Sequence, residues 1–412
     1  MSLTLPEAVR MALDEGANAR LARTRQERAE VGKREALQGL MPQVSGSLMR
    51  YSESINLQTF GFATPGEPPV VGPFDVSDAQ LNAAMQLFNL AAIRRYQALR
   101  TNAVASKYQL EQTREDVVAA VARLYVLVQK ADAQVATRQS EVSLFETLLK
   151  VARDEFQAGT GTKLDVAQAN VQLSRAKQGL LVAESARDTA KLALLGALGA
   201  DEGREIVLTD SLPEAGTVPE IDAALETARS RRPELKEVDT QVAAAKLQVE
   251  AMQSRRLPSL AVQYTGDYSG NTTSEMFGTR RIAGVVSVPL FDAQVNAKIA
   301  TAKLDLQDVK VQAEEVGRQV ERQVRGSLMS LRNAQTRVEV AAETVKVADE
   351  ALTIARDRRA AGYGSSVEVD RAQESYAQAH EDLISARADA AMAMYELQHA
   401  TGEIGLLQEG SH

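Results

Sequence analysis

Two periodicities of apolar residues alternate along the chain, and they predict long helices separated by pairs of strands. The spacing is helical from about Ala17 to Met41, from Ala91 to Gln157 and from Lys163 to Ala200. In the long middle segment a seven-residue series predicts a coiled-coil seam. Its members are Tyr96, Ala103, Leu110, Val117, Leu124, Ala131, Phe145 and Ala152. The second half of the chain has the same spacing at Ile299, Leu306, Ala313, Val320, Ala334, Ala341 and Ala348.

Between the first and second predicted helices of each half, the period falls to two residues. This alternation, interrupted by Gly, Asn, Pro and Ser, predicts a β-hairpin in each half. The predicted strands pair about 42–53 with 77–88, and about 258–268 with 281–291. Pro289 lies inside the last of these and is tolerated only near a strand end.

A tandem duplication explains why both halves show the same order. Leu40-Met41-Pro42 recurs as Arg256-Leu257-Pro258, and Gly159-Thr160-Gly161 recurs as Gly362-Tyr363-Gly364 at a slightly shorter offset. The 13-residue difference between the two offsets falls in Ser54–Val76, a segment rich in Gly and Pro. We expect this segment to be an exposed and mobile loop.

The duplication predicts four parts. Repeat 1 is 1–200, with a helix, a hairpin at about 42–88, a long helix at about 91–157, a tip turn and a helix at 163–200. An equatorial connector follows at 201–218. Repeat 2 is 219–402, with a helix, a hairpin at about 258–291, a long helix at about 293–360, a tip turn and a helix at 366–402. Residues 403–412 form a tail that is expected to include the remnant of a tag.

Helix lengths predict an elongated shape. At 1.5 Å per residue, the long helix of roughly 67 residues spans about 100 Å, and the shorter ones of roughly 25 and 38 residues span about 37 and 57 Å. Because the short pair nearly equals the long helix, we expect the pair to stack end to end beside it. The hairpins would then lie at one end and the tip turns at the other.

Such a chain would bury little core as a monomer, and its hairpins would leave open sheet edges. No apolar run approaches the roughly 18 residues that a spanning helix needs; the richest is Leu192 to Ala200. Contact with a membrane would therefore use strands, and strands of about 10–13 residues suit a barrel formed with other protomers. A soluble coiled-coil scaffold or adaptor that never inserts is the alternative interpretation.

Composition narrows the function classes. Hydrophobic residues make up 44% of the chain but aromatic residues only 4%, and alanine is abundant, which favours closely packed helices. The net charge of −8 argues against nucleic-acid binding. Without Cys, and with only His380, His399 and His412 as imidazoles, no metal, cofactor or catalytic constellation is predicted. Gly159–Lys163 lacks the spacing of a phosphate-binding loop, so an enzyme is disfavoured.

Several short motifs, in their order within the duplicated chain, resemble the TolC-like outer-membrane efflux protein family over essentially the whole length. The resemblance rests on the opening Leu3-Thr4-Leu5-Pro6-Glu7-Ala8-Val9, on Met41-Pro42 and Leu257-Pro258, on Val288-Pro289-Leu290-Phe291-Asp292, and on the turns at Ala158-Gly159 and Ala361-Gly362. It implies a mainly α fold with a membrane β-barrel portion. Three protomers would contribute four strands each, above a helical tunnel.

The resemblance also implies partners and a location. It implies an export duct of a tripartite efflux or type I secretion system in the outer membrane of a Gram-negative bacterium, with a large periplasmic portion. The partners would be two further copies, outer-membrane lipid, a periplasmic adaptor and an inner-membrane pump of the RND, ABC or MFS type. No signal peptide is recognised. Met1-Ser2 and Gly410-Ser411-His412 are interpreted as additions, which leaves room for a natural leader.

The resemblance places a gate at the periplasmic mouth. Glu368 is the expected member of a constricting acidic ring, and Asp165 is its equivalent in repeat 1. Where the family often has a second acid, this chain has Arg371, and Gly364 replaces a basic residue. Arg358 and Arg359 are expected to supply the missing bonds. The tip turns Gly159-Thr160-Gly161 and Gly362-Tyr363-Gly364 are the expected adaptor contacts. The alternative is that these charges only solvate helix ends.

Overall fold

The structure is a computed structural model that describes residues 1–62, 66, 68–214 and 216–408. Most of the described chain is helical. The α-helices are α1 (Leu5–Glu15), α2 (Ala17–Gln38), α3 (Leu90–Gln157), α4 (Lys163–Leu198), α5 (Ile221–Arg231), α6 (Pro233–Ser254), α7 (Ala293–Ala360) and α8 (Ser366–Thr401). None of the helices in these ranges combines the length and apolar character needed to cross a bilayer.

Strands form one large and one small sheet. The strands are β1 (Ser2–Leu3), β2 (Gln43–Asn56), β3 (Val70–Phe88), β4 (Val207–Leu208), β5 (Ser259–Gly270) and β6 (Phe277–Ser287). The large sheet is antiparallel, in the order β2-β3-β5-β6, and β1 pairs in parallel with β4. The two hairpins are therefore adjacent, because β3 of the first pairs with β5 of the second.

Helix bounds recur at two constant offsets along the chain. The first and last residues of α5 and α6 repeat those of α1 and α2 at one offset, which takes Leu5 to Ile221 and Ala17 to Pro233. The bounds of α7 and α8 repeat those of α3 and α4 at the second, shorter offset. Each half thus has one short helix, one medium helix, a strand pair, a 68-residue helix and a 36-residue helix.

The first hairpin extends further than the sequence predicted. β2 continues to Asn56 and β3 begins at Val70, which pairs with Asn56, so both ends of the predicted Ser54–Val76 loop belong to the ladder. A 3-10 turn at Leu57–Phe60 follows β2. The Gly and Pro residues of this segment led the sequence to predict a loop. In the structure the strand ends continue to pair beyond a bulge near Glu53. Residues 63–65 and 67 of the predicted loop lie outside the described residues, as do 409–412 of the predicted tail.

The second hairpin ends earlier than predicted. β6 stops at Ser287, not at residue 291. Pro289 has no N–H to donate to the ladder, which explains why pairing ends before it. At the other end, β5 reaches Gly270 and β6 begins at Phe277, so the connecting turn is shorter than in the first hairpin.

Two short helices, α1 and α5, were missed by the helical periodicity. α1 begins at a capping box in which Thr4 and Glu7 satisfy each other's backbone N–H groups. Gly16 is the C-cap residue of α1, and Arg232 is that of α5, just before Pro233 opens α6. Proline is favoured in the first helical turn because its missing N–H has no helical partner there. Each half therefore begins with a short helix that precedes the predicted one.

The described chain separates into two compact units. One contains the described residues within 1–25, 107–236 and 314–408, and the other contains those within 26–106 and 237–313. The first unit holds two hydrophobic clusters. One surrounds Tyr125, Leu194 and Leu198 from α3 and α4, and the other surrounds Val324 and Leu331 from α7. The second unit holds the four-stranded sheet.

The predicted coiled-coil seam is covered along both long helices. Every member of the seven-residue series in α3 and α7 is buried or half-buried. Small and branched side chains at this spacing allow neighbouring helices to pack closely. The residues of the seam therefore form the covered face of each long helix.

Asp210 joins the segment after α4 to the start of the chain and to α3. The Asp210 carboxylate accepts a hydrogen bond from the Leu5 N–H at 2.7 Å and from the Tyr125 hydroxyl at 3.1 Å. Gln129 donates to the Asp210 carbonyl at 2.7 Å. Burial and the neighbouring Asp210 charge raise the pKa of Tyr125 above its ordinary value, so its hydroxyl remains a donor.

Candidate functional site

The α3–α4 turn depends on two glycines for two different reasons. Gly159 has φ of +78°, the left-handed region that glycine adopts without a Cβ penalty. At Gly161 a Cβ would lie 3.1 Å from the Glu155 Cβ and from the Phe156 N. The N–H groups of Thr160 and Gly161 both donate to the Glu155 carbonyl at 3.0 Å, which closes the end of α3. Thr160 itself is exposed.

Asp165 is occupied in capping α4. Its carboxylate accepts from the Thr162 N–H at 2.8 Å and from the Thr162 hydroxyl at 2.7 Å. The Thr162 hydroxyl in turn accepts from the Asp165 N–H at 3.2 Å. The Thr162 side-chain hydrogen bond is the main reason that the pKa of Asp165 lies below its ordinary value, followed by the backbone bond. The carboxylate therefore stays ionised at the helix N-terminus, where negative charge is favoured.

The α7–α8 turn has the same backbone. Gly362 has φ of +81°, and a Cβ on Gly364 would lie 2.9 Å from the Arg359 N. Tyr363 and Gly364 donate to the Arg358 carbonyl at 2.9 and 3.0 Å. The Tyr363 side chain is 83% exposed, so its ring is available to a partner.

Glu368 is held differently from its counterpart Asp165. Ser365 caps α8 by accepting from the Glu368 N–H at 3.3 Å, but α8 has no reciprocal capping box. The Glu368 carboxylate instead lies 3.7 Å from a guanidinium nitrogen of Arg358. Both side chains are about half exposed, and such an ion pair contributes little to stability. The Glu368 charge can therefore change partner at small cost.

The partner of Glu368 is thus Arg358, one of the two arginines that were expected to supply it. Arg371, which stands where the family often has a second acid, is exposed and takes part in no ion pair of the described residues. Arg359 lies near Asp165 and Asp370, and its positive charge favours the ionised form of both carboxyls.

A cleft of about 420 Å³ lies between the four helix ends, and we call it the tip cleft. Arg356 and Arg359 from α7 face Asp165 from α4 and Asp370 from α8 across it. Arg356 also donates to Gln373 at 2.8 Å. Burial raises the pKa of Asp370, an effect that Arg359 opposes and Glu374 reinforces. The cleft brings alternating charges together beside the exposed turns.

Sequence reasoning missed Asp370 as a member of this site. The resemblance drew attention to positions 368 and 371, whereas Asp370 lies between them and points into the tip cleft. Asp370 follows Glu368 by two residues, which is about 200° around the helix, so the two carboxylates lie on different faces of α8. A helical-wheel plot of α8 would have shown this second acidic face.

The four-stranded sheet has one apolar and one mainly polar face. The apolar face includes Val44, Leu48, Leu81, Val262, Tyr264, Ile282 and Val286. The opposite face includes Ser45, Ser47, Asp78, Gln80, Asn82, Gln263, Thr265, Asp267, Thr279 and Arg281. Leu48 is 85% exposed and Ile282 is 74% exposed, so the apolar face lacks a covering layer within the described chain.

Comparison with known proteins identifies the family. A sequence profile described as "Outer membrane efflux protein" matches residues 8–200 and 224–403. Among characterised relatives, the outer membrane efflux protein BepC of Brucella suis biovar 1 (strain 1330) is 24% identical over 330 residues. The match covers 76% of this chain and 70% of BepC.

Solved structures share the fold at low sequence identity. The CmeC outer membrane channel of Campylobacter jejuni superposes with a TM-score of 0.83 at 17% identity, covering 97% of this chain and 85% of CmeC. The outer membrane protein VceC of Vibrio cholerae gives 0.80 at 18% identity, covering 97% and 96%. The profile spans most of the chain in two segments, and the chain belongs to the outer membrane efflux protein family.

Proposed function

We propose that three copies of this chain form an export duct through which molecules pass passively from the periplasm to the exterior. The observation that carries the proposal is the four-stranded sheet, with one exposed apolar face, one polar face and two open edges. Family membership gives the role in outer membrane efflux. Catalysis has no part in this function.

The open edges support assembly. β2 and β6 each pair on one side among the described strands. An unpaired edge exposes N–H and C=O groups that pair readily with another strand. Pairing of β6 with β2 of the next copy would generate a ring of twelve strands with no edge left. Three-fold closure also suits an interface between two different edges of one chain.

The faces support insertion in a bilayer. Side chains such as Leu48 and Ile282 would contact lipid, and the polar face would line a water-filled lumen. Tyr264 covers Gly266, and Tyr268 covers Gly278, on the same apolar face. Such aromatic side chains are favoured near membrane–water interfaces. A soluble scaffold, the alternative, would leave this apolar face in contact with water.

The tip turns are proposed as the periplasmic mouth. Glu368, with Arg358 beside it, is the proposed gate carboxylate, and three copies would surround the axis. Arg371, Arg359 and Asp165 would modulate the charge there. The exposed Gly159-Thr160-Gly161 and Gly362-Tyr363-Gly364 turns would contact the periplasmic adaptor, which connects the duct to an inner-membrane pump of the RND, ABC or MFS type.

Repeat organisation is part of the same proposal. The constant offsets of helix bounds support a tandem structural repeat, divided as 1–200 and 219–402 around the connector. In the trimer, six equivalent helical hairpins would then surround the tunnel.

Purification and conductance test the proposal together. The protein should require detergent, run as a trimer by light scattering, and form ion-conducting pores in planar bilayers. A monomer that stays soluble without detergent and forms no pores would favour the soluble scaffold and refute the duct.

A further inference from the structure

Two acidic side chains meet on the polar face of the sheet. Asp78 lies on β3 and Asp267 on the neighbouring strand β5, where the register pairs Asp78 with Ser269 and Gln80 with Asp267. The two acids are therefore diagonal neighbours on one face, and their carboxyl groups lie within hydrogen-bonding reach of each other. Long or polar side chains at diagonal positions interact across a strand pair.

These carboxylates have covered oxygens without donors. Asp78 is 7% exposed; its Oδ2 accepts from the Gln80 amide at 3.1 Å. The Asp267 Oδ2 accepts from the Ser269 hydroxyl at 3.3 Å. The Oδ1 atoms of Asp78 and Asp267 are both covered, and no N–H or O–H of the described residues donates to either. A covered carboxylate oxygen requires a donor or a cation.

The neighbouring basic residues do not neutralise the negative charge of Asp78 and Asp267. Arg281 is on the same face, opposite Thr265, but it forms no ion pair with either acid among the described residues. Arg50 is on the other face and pairs with Asp75 at 3.1 Å. Two carboxylates in contact repel unless a shared proton or a cation lies between them.

The surrounding atoms suit a hard cation. The carboxylates, the Gln80 amide and the Ser269 hydroxyl offer oxygen ligands, which Ca²⁺ and Mg²⁺ prefer. No third acid or imidazole completes a metal cluster among the described residues. Binding would therefore be weak, which suits a transit site, since a conducted ion must leave as well as enter.

We propose that Asp78 and Asp267 form a cation-binding site in the channel lumen that contributes to cation selectivity at the level of the sheet. The inference rests on the proposed duct, in which the polar face lines the lumen and three copies supply six carboxylates. It assigns selectivity to residues other than those of the helix tips.

Planar-bilayer recording of the full-length trimer tests the site. Reversal potentials under a KCl gradient should show that Asp78→Asn/Asp267→Asn lowers the cation-to-anion permeability ratio by about twofold or more. Block by CaCl₂ added at the extracellular side should weaken in the same variant. Asp75→Asn is the matched control, because Asp75 is on the same strand but the opposite face, and it should leave both readouts unchanged.

Each outcome of these recordings supports or overturns the proposed cation-binding site. An unchanged permeability ratio and unchanged Ca²⁺ block in a conducting Asp78→Asn/Asp267→Asn trimer would overturn the inference while leaving the duct intact. Absence of conductance in the unmodified protein would instead refute the duct. If the double variant fails to assemble, Asp78→Asn and Asp267→Asn are measured singly, and each should still lower the ratio. An equal loss of selectivity in Asp75→Asn would also count against the lumenal site.

Discussion

Single side chains distinguish the two tip turns even though their backbones match. Asp165 makes two hydrogen bonds back to Thr162, whereas Glu368 leaves its cap and lies beside Arg358. Both carboxylates stand at the third position of their helices, but only that of Asp165 closes a capping box. That of Glu368 lies beside Arg358 of the preceding helix. Equivalent positions in the two halves thus hold carboxylates with different freedom to respond.

This difference predicts an asymmetric effect on conductance. Glu368→Gln should weaken cation preference and block by divalent cations added at the periplasmic side, because it removes three charges from the proposed constriction. Arg358→Ala should increase both, since it removes the compensating charge. Planar-bilayer reversal potentials provide the measurement.

Asp165→Asn is the control for that experiment. It should change selectivity less and instead lower the free energy of unfolding slightly, because α4 loses the charged partner of its capping box. Equal selectivity in the wild type, Glu368→Gln and Arg358→Ala channels would place the constriction elsewhere. The tip charges would then only solvate helix ends.

A second residue-scale prediction concerns Glu115 on α3. Burial raises its pKa to about 7, although Arg232 and His399 oppose the shift, while Glu234 and Asp116 add to it. Folding therefore favours protonated Glu115. Its contribution to stability should be complete below its ordinary pKa of about 4.5 and lost as pH rises through about 7.

Glu115→Gln should accordingly be more stable than the wild type at pH 8, by about 1 kcal/mol because the side chain is partly solvated. The two proteins should converge near pH 5. Urea unfolding of the detergent-solubilised protein at several pH values provides the measurement. Parallel stability profiles for the two proteins from pH 5 to pH 8 would contradict this account.

At the scale of elements, substitutions distinguish the roles of the two glycines in the α7–α8 turn. Gly362→Ala should destabilise by about 1 kcal/mol, because alanine has to adopt the left-handed conformation. Gly364→Ala should destabilise more, since its Cβ would meet the Arg359 backbone at 2.9 Å. Gly326 is the contrast, because it lies inside α7 and a Cβ there would meet no other atom within 4 Å. Gly326→Ala should stabilise by about 0.5–1 kcal/mol.

Thermal unfolding of the three variants checks this order. A Gly364→Ala protein as stable as the wild type would mean that the turn relaxes freely, contrary to the close approach of its backbone to Arg359.

Element order was predictable because the apolar period changes from helical to alternating at fixed places. The long helices start and end within a residue or two of the expected positions, since their seven-residue series run along most of their length and a Gly follows each C-terminal end. Strand ends and the short helices α1 and α5 were missed. Their bounds depend on ladder pairing and on caps such as Thr4–Glu7, which periodicity does not register.

Site membership was less predictable than the fold. Glu368 and Arg358 were both expected at the tip and are adjacent, but Asp370 was missed, and Arg371 has no ionic partner within the described chain. Sequence spacing defines neighbours on one helix. The tip cleft instead depends on how α3, α4, α7 and α8 approach one another, which a seven-residue pattern does not specify.

At the scale of the whole molecule, the chain's lack of Cys gives a direct test of assembly. Ser45→Cys on β2 and Thr279→Cys or Ala283→Cys on β6 introduce thiols on the two open edges. If β6 pairs with β2 of a neighbouring copy, mild oxidation should produce covalent dimers and trimers on denaturing gels, with no larger species. One of the two β6 positions should cross-link more efficiently, because the register allows close approach at one of them.

Either cysteine alone is the control and should give no trimer. Ladders beyond three copies, or cross-linking of unfolded protein to the same extent, would argue against a closed ring.

Helices α3 and α7 have the same length, as do α4 and α8, and this has a consequence for insertions and deletions. One residue added within α3 or α7 rotates everything after it by about 100° and advances it by about 1.5 Å, which takes the covered seam out of phase. Seven added residues restore the phase to within about 20° but displace the turn by about 10 Å. Length variation should therefore be confined to the segments that connect β2 to β3 and β5 to β6. Single-residue deletions scanned along the gene should give assembled protein in those two segments and abolish assembly throughout the long helices.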